Sequence, residues 1–348
     1  MELELRARGL LRGLACGDAV GLPREGLAPG RARRRFGAEP RHAFVAGHGV
    51  ISDDTEHAFM TGQALAASGL DEERFARSLA WRLRGWIACL PPGVGLGTLR
   101  ACARLWLGFG PARSGVPSAG NGPLMRAPVI GFAVAEASTR ARLVAISTRI
   151  THTHPLAADA ALAVAEAAAA AREGLMAPAA LLARLRPALV DPRWASPLAR
   201  VEDALVADRA PGDWAAGEGL ERGVTGYVLH TLPAVLFAWL RAPADWTETI
   251  RRALALGGDT DTVGAIAGAL AGTVGGAAAV PDAIVRGLCD RPVGIPQLDA
   301  LALALAACAR GERAQPVAVR GRAVQPLRNA AVLALVLAHG LRRLLPPW

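Results

Sequence analysis

The sequence contains no lysine, and its 39 basic residues are all arginine; it also has a single tyrosine, Tyr227. A GC-rich genome explains both features together with the abundance of alanine, so the formal net charge of +9 is weak evidence for a nucleic-acid partner. Nucleic-acid-binding surfaces concentrate their charge in a stripe, whereas the dense basic run here is confined to residues 31–35 and comprises Arg31, Arg33, Arg34 and Arg35. We interpret this run as a solvated loop between glycine and proline residues, or as a rim that attracts phosphates or an acidic partner, and expect no nucleic-acid partner.

The chain also lacks any CxxC pair, and its cysteines are odd in number: Cys16, Cys89, Cys102, Cys289 and Cys308. The first residues are acidic and do not resemble a signal peptide, so we expect a cytoplasmic protein. The uncharged stretch 263–281 has the length of a membrane span, but it is mostly glycine and alanine and directly follows two aspartates. We therefore expect a buried helix there, a docked helix over residues 329–348, and no membrane association.

Alternating β-branched or aromatic runs are nearly absent, and the best strand candidate, residues 42–45, is too short to build a sheet. Apolar residues instead recur at helical spacing over twelve segments: 3–19, 58–67, 75–89, 99–107, 140–150, 157–172, 177–185, 198–207, 229–240, 246–256, 263–274 and 298–309. The sequence therefore predicts an all-α fold of roughly a dozen helices. We expect one domain over residues 1–348, with a C-terminal helical extension from about residue 315 to 348 that packs on the body or forms a homodimer contact.

Two helix starts carry more oxygen atoms than a helix cap requires. Residues 52–56 read Ser-Asp-Asp-Thr-Glu, where one oxygen would suffice for an N-cap and where Asp53 with Glu56 resembles a capping box. Residues 257–264 read Gly-Gly-Asp-Thr-Asp-Thr-Val-Gly and place Asp259 and Asp261 one residue apart, so that both can converge on one ion. The surplus of carboxylates at both helix starts indicates a ligand.

We expect that ligand to be a hard cation. The two segments together supply four carboxylates, from Asp53, Asp54, Asp259 and Asp261, as well as several hydroxyls. Such oxygen ligands select Mg²⁺, Mn²⁺ or Ca²⁺ over zinc or copper. Four carboxylates in one small space would repel one another unless cations lay between them, and two divalent ions would balance their charge. A two-metal site of this kind activates a water molecule or holds the oxygens of a substrate.

Three further segments place polar residues at helix boundaries. Residues 13–25 (GLACGDAVGLPRE) carry Asp18, then a glycine and proline break, then Glu25. Residues 118–126 (SAGNGPLMR) either aim backbone N–H groups at an anion such as phosphate or form an ordinary Asn-Gly turn. Residues 151–155 (THTHP) lack the further ligands of a zinc site, so we expect capping, packing or a substrate contact there.

These five segments, in this order, resemble the ADP-ribosylglycohydrolase family, and they run from Gly13 to Gly272. The pairing of SDDT with GGDTDT and a small-residue helix is the specific part. The resemblance implies a single compact orthogonal multi-helix domain that hydrolyses the N- or O-glycosidic bond between ADP-ribose and an acceptor. It also implies two Mg²⁺ ions as cofactors, with Mn²⁺ as the alternative because both accept the same ligands. The expected partner is an ADP-ribosylated protein or a small ADP-ribose conjugate, with arginine as the favoured acceptor residue and serine as the second, and the chain is expected to be a monomer or homodimer.

The resemblance further implies a role for each matching residue. The implied metal ligands are Ser52, Asp53, Asp54, Asp259, Asp261 and Thr262. The residues implied to face the substrate are Ser118, Gly120 and Asn121, at the diphosphate and ribose, and His152, in the ADP-ribose cleft. Glu25 would lie in the loop over the metals and the scissile ribose, and Asp261 or Asp259 would serve as the general base.

Two positions depart from the family pattern. Ser52 stands where family members usually have threonine, and it keeps the hydroxyl. Ala119 stands where some relatives place an aromatic ring that stacks on adenine, a contact worth roughly 1–3 kcal/mol. Two alternatives therefore stay open: a hydrolase of a small ADP-ribose-like or nucleotide-derived metabolite, and a non-catalytic binder such as an immunity protein.

Overall fold

The computed structural model of the chain describes residues 1–175, 177–319 and 322–344. It is about 69% helical, and within these residues it contains only isolated β-bridges besides helices and loops. The prediction of an all-α fold is therefore confirmed. The α-helices are α1 (Glu2–Gly21), α2 (Pro29–Phe36), α3 (Asp53–Ser68), α4 (Glu72–Ile87), α5 (Leu96–Trp106), α6 (Ala127–Ala133), α7 (Ala137–Thr151), α8 (Pro155–Arg172), α9 (Pro178–Leu185), α10 (Ala195–Val206), α11 (Pro211–Gly217), α12 (Val228–Leu240), α13 (Trp246–Leu256), α14 (Thr260–Gly275), α15 (Asp282–Gly287), α16 (Ile295–Ala309) and α17 (Gln325–Arg342).

Each of the twelve predicted segments overlaps one of these helices, and α17 falls in the predicted C-terminal extension. The four α-helices that were not predicted are short ones of six to eight residues. One of them corrects the interpretation of the arginine run, which is the helix α2 rather than a loop. Pro29 begins this helix with its φ angle already helical, and arginine has a high helix propensity. Ala32 and Phe36 are buried four residues apart, so the arginines between them project to the other side.

Helices α1 and α14 pack backbone against backbone through glycine. The glycines recur at four-residue intervals: Gly9, Gly13, Gly17 and Gly21 on α1, and Gly264, Gly268 and Gly272 on α14. A Cβ atom at Gly13 would lie 2.2 Å from the carbonyl oxygen of Gly268, and a Cβ atom at Gly17 would lie 2.1 Å from that of Gly264. Only glycine permits this approach. As a result, the C-terminal turn of α1 lies against the first turn of α14. The Thr260 hydroxyl there donates to the Gly21 carbonyl at 2.9 Å.

The C-terminal extension forms α17, which packs on the body of the chain. Val332 is buried in a small apolar cluster with Leu22, Phe44 and Val50, and the His339 ring stacks on Phe44 at 4.8 Å between centroids. The predicted tail continues to residue 348, and its last four residues lie outside the described part of the chain. Within the described residues, no helix combines the length and the apolar character that a membrane span requires.

Candidate active site

A cleft of about 560 Å³ opens where the first turns of α3 and α14 meet the turn that follows α1. Residues from all five polar segments border it, although these segments are far apart in the sequence. The bordering residues with an expected role are Glu25, Asp53, Asp54, Ser118, Gly120, Asn121, His152, Asp259, Asp261 and Thr262. Ser52 lies behind this surface, where its hydroxyl donates to the Asp54 carboxylate at 3.2 Å.

Asp18 joins the start of α3 to α1. Its fully buried carboxylate accepts the backbone N–H of Ser52 at 2.9 Å and that of Thr55 at 3.2 Å, and it also accepts the Thr55 hydroxyl. Burial raises the pKa of Asp18 to about 6, although these hydrogen bonds lower it. No role was assigned to Asp18 from the sequence. The available signal was that Asp18 is a single carboxylate among small and apolar residues of a helix. A carboxylate in such surroundings is rarely buried without partners.

The two oxygens of Asp54 differ in their surroundings. Oδ2 accepts hydrogen bonds from the Ser52 and Thr262 hydroxyls, both at 3.2 Å, so it connects the starts of α3 and α14. Oδ1 is buried and has no hydrogen-bond partner among the described residues. A buried carboxylate oxygen without a donor is unfavourable, whereas such an oxygen suits a cation ligand.

The start of α14 is shaped by two glycines and held by an amide. Gly258 has a φ of +72°, and a Cβ atom there would lie 2.0 Å from the Val224 carbonyl oxygen. Its own carbonyl accepts the N–H of Gly26 at 2.8 Å, which holds the turn that carries Glu25. Asp259 then accepts the Asn121 side-chain amide at 2.6 Å. Asn121 therefore binds a carboxylate of the site, besides bordering the cleft.

The carboxylates of the cleft are hard to ionise. Desolvation by the surrounding cleft raises the pKa of Glu25 to about 6, although the residue remains accessible to solvent, and the charge of Asp259 adds to the effect. Burial, followed by the charges of neighbouring carboxylates, raises the pKa values of Asp53, Asp54 and Asp261 well above their ordinary range. A cation between these groups would favour their charged forms.

Carboxylate and hydroxyl oxygens from two helix starts are the donor set of a hard cation. The acidic side chains border the cleft but do not converge on one point. Among the described residues, no three His, Cys, Asp or Glu side chains are grouped closely enough to form a metal centre by themselves. The oxygens contributed by α3 and α14 meet at Asp54, which contacts both Ser52 and Thr262. The residues present fit a cation that would bridge the two helices.

His152 borders the cleft as a neutral ring. Its Nδ1 lies 2.9 Å from the Thr151 hydroxyl oxygen, which also accepts a hydrogen bond from Arg126. Burial, followed by the charge of Arg126, lowers the pKa of His152 to about 3. A Cβ atom at Gly97 would lie 2.9 Å from Nε2 of this ring, and a Cβ atom at Gly122 would lie 3.0 Å from its Cε1. The backbone of these two glycines therefore packs close to the ring.

Two walls of the cleft were not predicted. One is the glycine-rich segment 93–98, and the other is segment 222–226, which brings Arg222 to the cleft. Their signals in the sequence are the closely spaced glycines and, in the second segment, an arginine beside a glycine. None of the described residues that line the cleft is phenylalanine, tyrosine or tryptophan, in agreement with the alanine at position 119.

Comparisons with known proteins point to one family. The model of the ADP-ribosylglycohydrolase family matches residues 1–315. An uncharacterized protein of Archaeoglobus fulgidus is 30% identical over 308 residues, which cover 83% of this chain and 93% of that protein. The ADP-ribosyl-(dinitrogen reductase) glycohydrolase of Rhodospirillum rubrum is 29% identical over 291 residues, which cover 79% of this chain and 87% of that protein.

A solved structure described as an ADP-ribosylglycohydrolase-related protein complex aligns with a TM-score of 0.69 and 31% sequence identity, over 88% of this chain and 99% of that one. The resemblance inferred from the five segments is thus confirmed. The chain belongs to the ADP-ribosylglycohydrolase family and is a glycosyl hydrolase of ADP-ribosylated substrates.

Proposed function

We propose that this chain hydrolyses the glycosidic bond between ADP-ribose and a modified acceptor residue, with two divalent cations bound in the cleft. The observation that carries the proposal is the surroundings of Asp54. One of its oxygens accepts hydroxyls from the N-cap of α3 and from α14, and the other is buried with no donor in the described part of the chain. A cation beside that oxygen would satisfy it and would relieve the repulsion that raises the pKa values of the surrounding carboxylates.

The residues that would hold the cations are Ser52, Asp53, Asp54, Asp259, Asp261 and Thr262. We favour Mg²⁺, with Mn²⁺ as the alternative, because both prefer oxygen ligands of this kind. When bound, such a pair supplies an acidified water molecule and polarises substrate oxygens.

Among the residues of the chain, Asp261 is the better general base. The Asp259 carboxylate already accepts the Asn121 amide at 2.6 Å, whereas Asp261 accepts the neighbouring Thr262 N–H at 3.0 Å through its Oδ1. Each carboxylate keeps one further oxygen, and the longer hydrogen bond leaves Asp261 the freer of the two to take a proton from water. Glu25 lies in the turn between α1 and α2, where its carboxylate would stabilise the positive charge that develops at the ribose carbon during glycoside hydrolysis.

The opposite side of the cleft suits the diphosphate. Segments 93–98 and 118–122 supply glycine backbone whose N–H groups can approach an anion closely, and Arg222 adds a positive charge beside them. His152, being neutral, would contact the ribose or diphosphate through a ring nitrogen without adding charge. Ser118 and Gly120 would lie at the same part of the ligand.

A small-molecule substrate is the second candidate, and one observation favours it. Among the residues described, no phenylalanine, tyrosine or tryptophan lines the cleft to stack on adenine, and such a contact is worth roughly 1–3 kcal/mol in nucleotide sites. An ADP-ribose-like metabolite that binds mainly through its phosphates and ribose would lose less from this absence than a full ADP-ribosyl group would.

We also propose a cytoplasmic location. All five cysteines are free, and Cys16, Cys102 and Cys308 are buried as reduced thiols. Proteins that keep several unpaired cysteines are typical of reducing compartments.

The decisive experiment offers the purified protein two peptides, one ADP-ribosylated on arginine and one on serine, with Mg²⁺ present. Free ADP-ribose is followed by mass spectrometry, with EDTA and the variant Asp261→Asn as controls. We expect release from the arginine peptide, blocked by either control. No release from either peptide by a folded, metal-loaded protein would overturn the proposal and would turn attention to a metabolite substrate or a binding role.

A further inference from the structure

Helix α17 lies beyond residues 1–315, which the family model matches. Its residue Arg328 nevertheless contacts the segment that carries Asp53 and Asp54, with a side chain that is only 11% exposed. The guanidinium donates to the Asp290 carboxylate at 2.6 Å and to the Ile51 carbonyl at 2.5 Å. A third contact joins it to the Glu56 carboxylate at 3.3 Å.

These three partners flank the segment that carries the proposed metal ligands. Ile51 directly precedes Ser52, and its own N–H donates to the Asp290 carboxylate at 2.9 Å. Glu56 lies in the first turn of α3, where it also accepts the Trp86 indole and the Gln325 amide, both at 2.7 Å. Arg328 is thus the positive group between two buried carboxylates, one on each side of residues 52–55.

The other end of α17 contacts the segment that precedes Glu25. The His339 ring lies 2.6 Å from the Phe44 carbonyl oxygen. Arg343, the residue that follows the helix, donates to the Pro23 carbonyl at 3.0 Å, two residues before Glu25. The helix and the residue that follows it therefore contact two of the three segments that carry acidic residues of the cleft, the start of α3 and the turn before Glu25.

We propose that Arg328 is a positioning residue, which fixes residues 51–56 so that Asp53 and Asp54 face the cations. The role of those residues as ligands rests on the proposed function. Arginine suits this task because its planar fork donates to several acceptors at once with fixed geometry. Without the guanidinium, the Ile51 carbonyl loses a donor and the two carboxylates lose their shared counter-charge, so the start of α3 gains freedom.

The first test needs neither substrate nor metal. Hydrogen–deuterium exchange is measured on the full-length parent, Arg328→Met, Arg328→Lys and the control Arg286→Met, which changes an exposed arginine on α15. We expect about tenfold faster exchange at residues 52–56 in Arg328→Met, confined to that segment and to its contacts on α17. Arg328→Lys keeps the charge but not the fork, and it should show a smaller increase; Arg286→Met should match the parent.

The second test is a calorimetric titration of the same four proteins with Mn²⁺. Loss of a group that orients metal ligands weakens metal affinity about tenfold, so the Kd of Arg328→Met should rise by that factor, with a smaller rise for Arg328→Lys. In turnover, the Mg²⁺ concentration for half-maximal rate should rise while KM for the peptide at saturating Mg²⁺ stays unchanged.

Unchanged exchange at residues 52–56 in both Arg328 variants would overturn the positioning role. A uniform increase across the whole chain would also overturn it, because that result indicates a general loss of stability. Failure of the proposed function would look different: the parent itself would release no ADP-ribose, while the local exchange result would still stand.

Discussion

The carboxylate of Asp18, on α1, lies 2.9 Å from the backbone nitrogen of Ser52, at the start of α3. It also accepts the N–H of Thr55 at 3.2 Å, so a residue from another helix satisfies two donors that α3 cannot pair internally. Because α1 packs on α14 through glycine, one helix sets the positions of both carboxylate-bearing helix starts. Asp18 therefore positions the start of α3, although Asp18 itself does not border the cleft.

Replacing Asp18 by asparagine should destabilise the fold and weaken turnover. The amide keeps one acceptor oxygen but points an NH₂ group at donors of α3, and a buried donor left facing a donor costs about 1–3 kcal/mol. Urea denaturation measures the change in the free energy of unfolding. The control Asp213→Asn, at an exposed position in α11, should change it by less than about 0.5 kcal/mol. Equal stability of the two variants would contradict this role for Asp18.

Replacing Gly13 by alanine should destabilise the fold more than the gain in helix propensity can offset. The added methyl group would lie 2.2 Å from the Gly268 carbonyl oxygen, which is fixed backbone, so α1 and α14 must separate at a cost of about 3 kcal/mol. The matched control is Gly85→Ala on α4, where nothing lies within 4 Å of the new atom. That variant should gain about 0.5–1 kcal/mol. Thermal unfolding measures the stability of both variants. If Gly13→Ala is as stable as the parent, the two helices are packed less closely than this distance indicates.

The helices and the acidic helix starts could be read from local sequence. Long amphipathic segments such as α4 carry their own periodicity, and four aspartates at two helix starts exceed what capping requires. Helix α2 was not predicted because only two of its residues, Ala32 and Phe36, are buried. Two apolar residues among arginines are too few to show helical periodicity. A short helix held by tertiary contacts leaves little trace in local pattern.

The contacts between distant segments could not be predicted in the same way. Arg328 meets Ile51 and Glu56 from 277 and 272 positions away, and nothing local distinguishes it from the other arginines of the chain. The partner of Asp18 likewise depends on where the glycine rows place α1. The wall at residues 222–226 reads as an ordinary turn until the fold brings it beside Gly258. In each case the missing information was tertiary.

Removing one carboxylate from the cleft should abolish metal binding while leaving the metal-free protein folded. Burial and neighbouring carboxylates raise the pKa values of Asp53 and Asp261 well above their ordinary range, so Asp53→Asn or Asp261→Asn relieves repulsion in the absence of metal. We expect Mg²⁺ to raise the Tm of the parent and to leave the Tm of either variant nearly unchanged, with turnover lost in both.

The control for these variants is Asp203→Asn, an exposed change on α10 that should respond to Mg²⁺ as the parent does. Full activity of Asp53→Asn or Asp261→Asn at saturating Mg²⁺ would contradict the two-metal assignment. Loss of activity with an unchanged Mg²⁺ shift in Tm would instead assign the residue to the chemistry and not to metal binding.

The neutral state of His152 predicts how stability depends on pH. Its pKa falls from an ordinary 6.5 to about 3 in the folded protein because the ring is buried beside Arg126. Between these values the unfolded chain binds a proton that the folded chain does not, so the stability that His152 contributes is present above pH 6.5 and is lost as pH falls. At pH 5 this loss amounts to about 2 kcal/mol.

The variant His152→Gln cannot titrate, so it should lose about 2 kcal/mol less than the parent when the pH is lowered from 7.5 to 5. The buried carboxylates have raised pKa values and act in the opposite direction, because they favour the folded state as they protonate. Since they are common to both proteins, they cancel when the two pH-dependent changes are subtracted. The exposed His48 supplies the control His48→Gln, measured by urea denaturation at both pH values. If the parent and His152→Gln lose the same stability, His152 gains a proton in the folded state, and the ring would then bring a positive charge to the diphosphate side of the cleft.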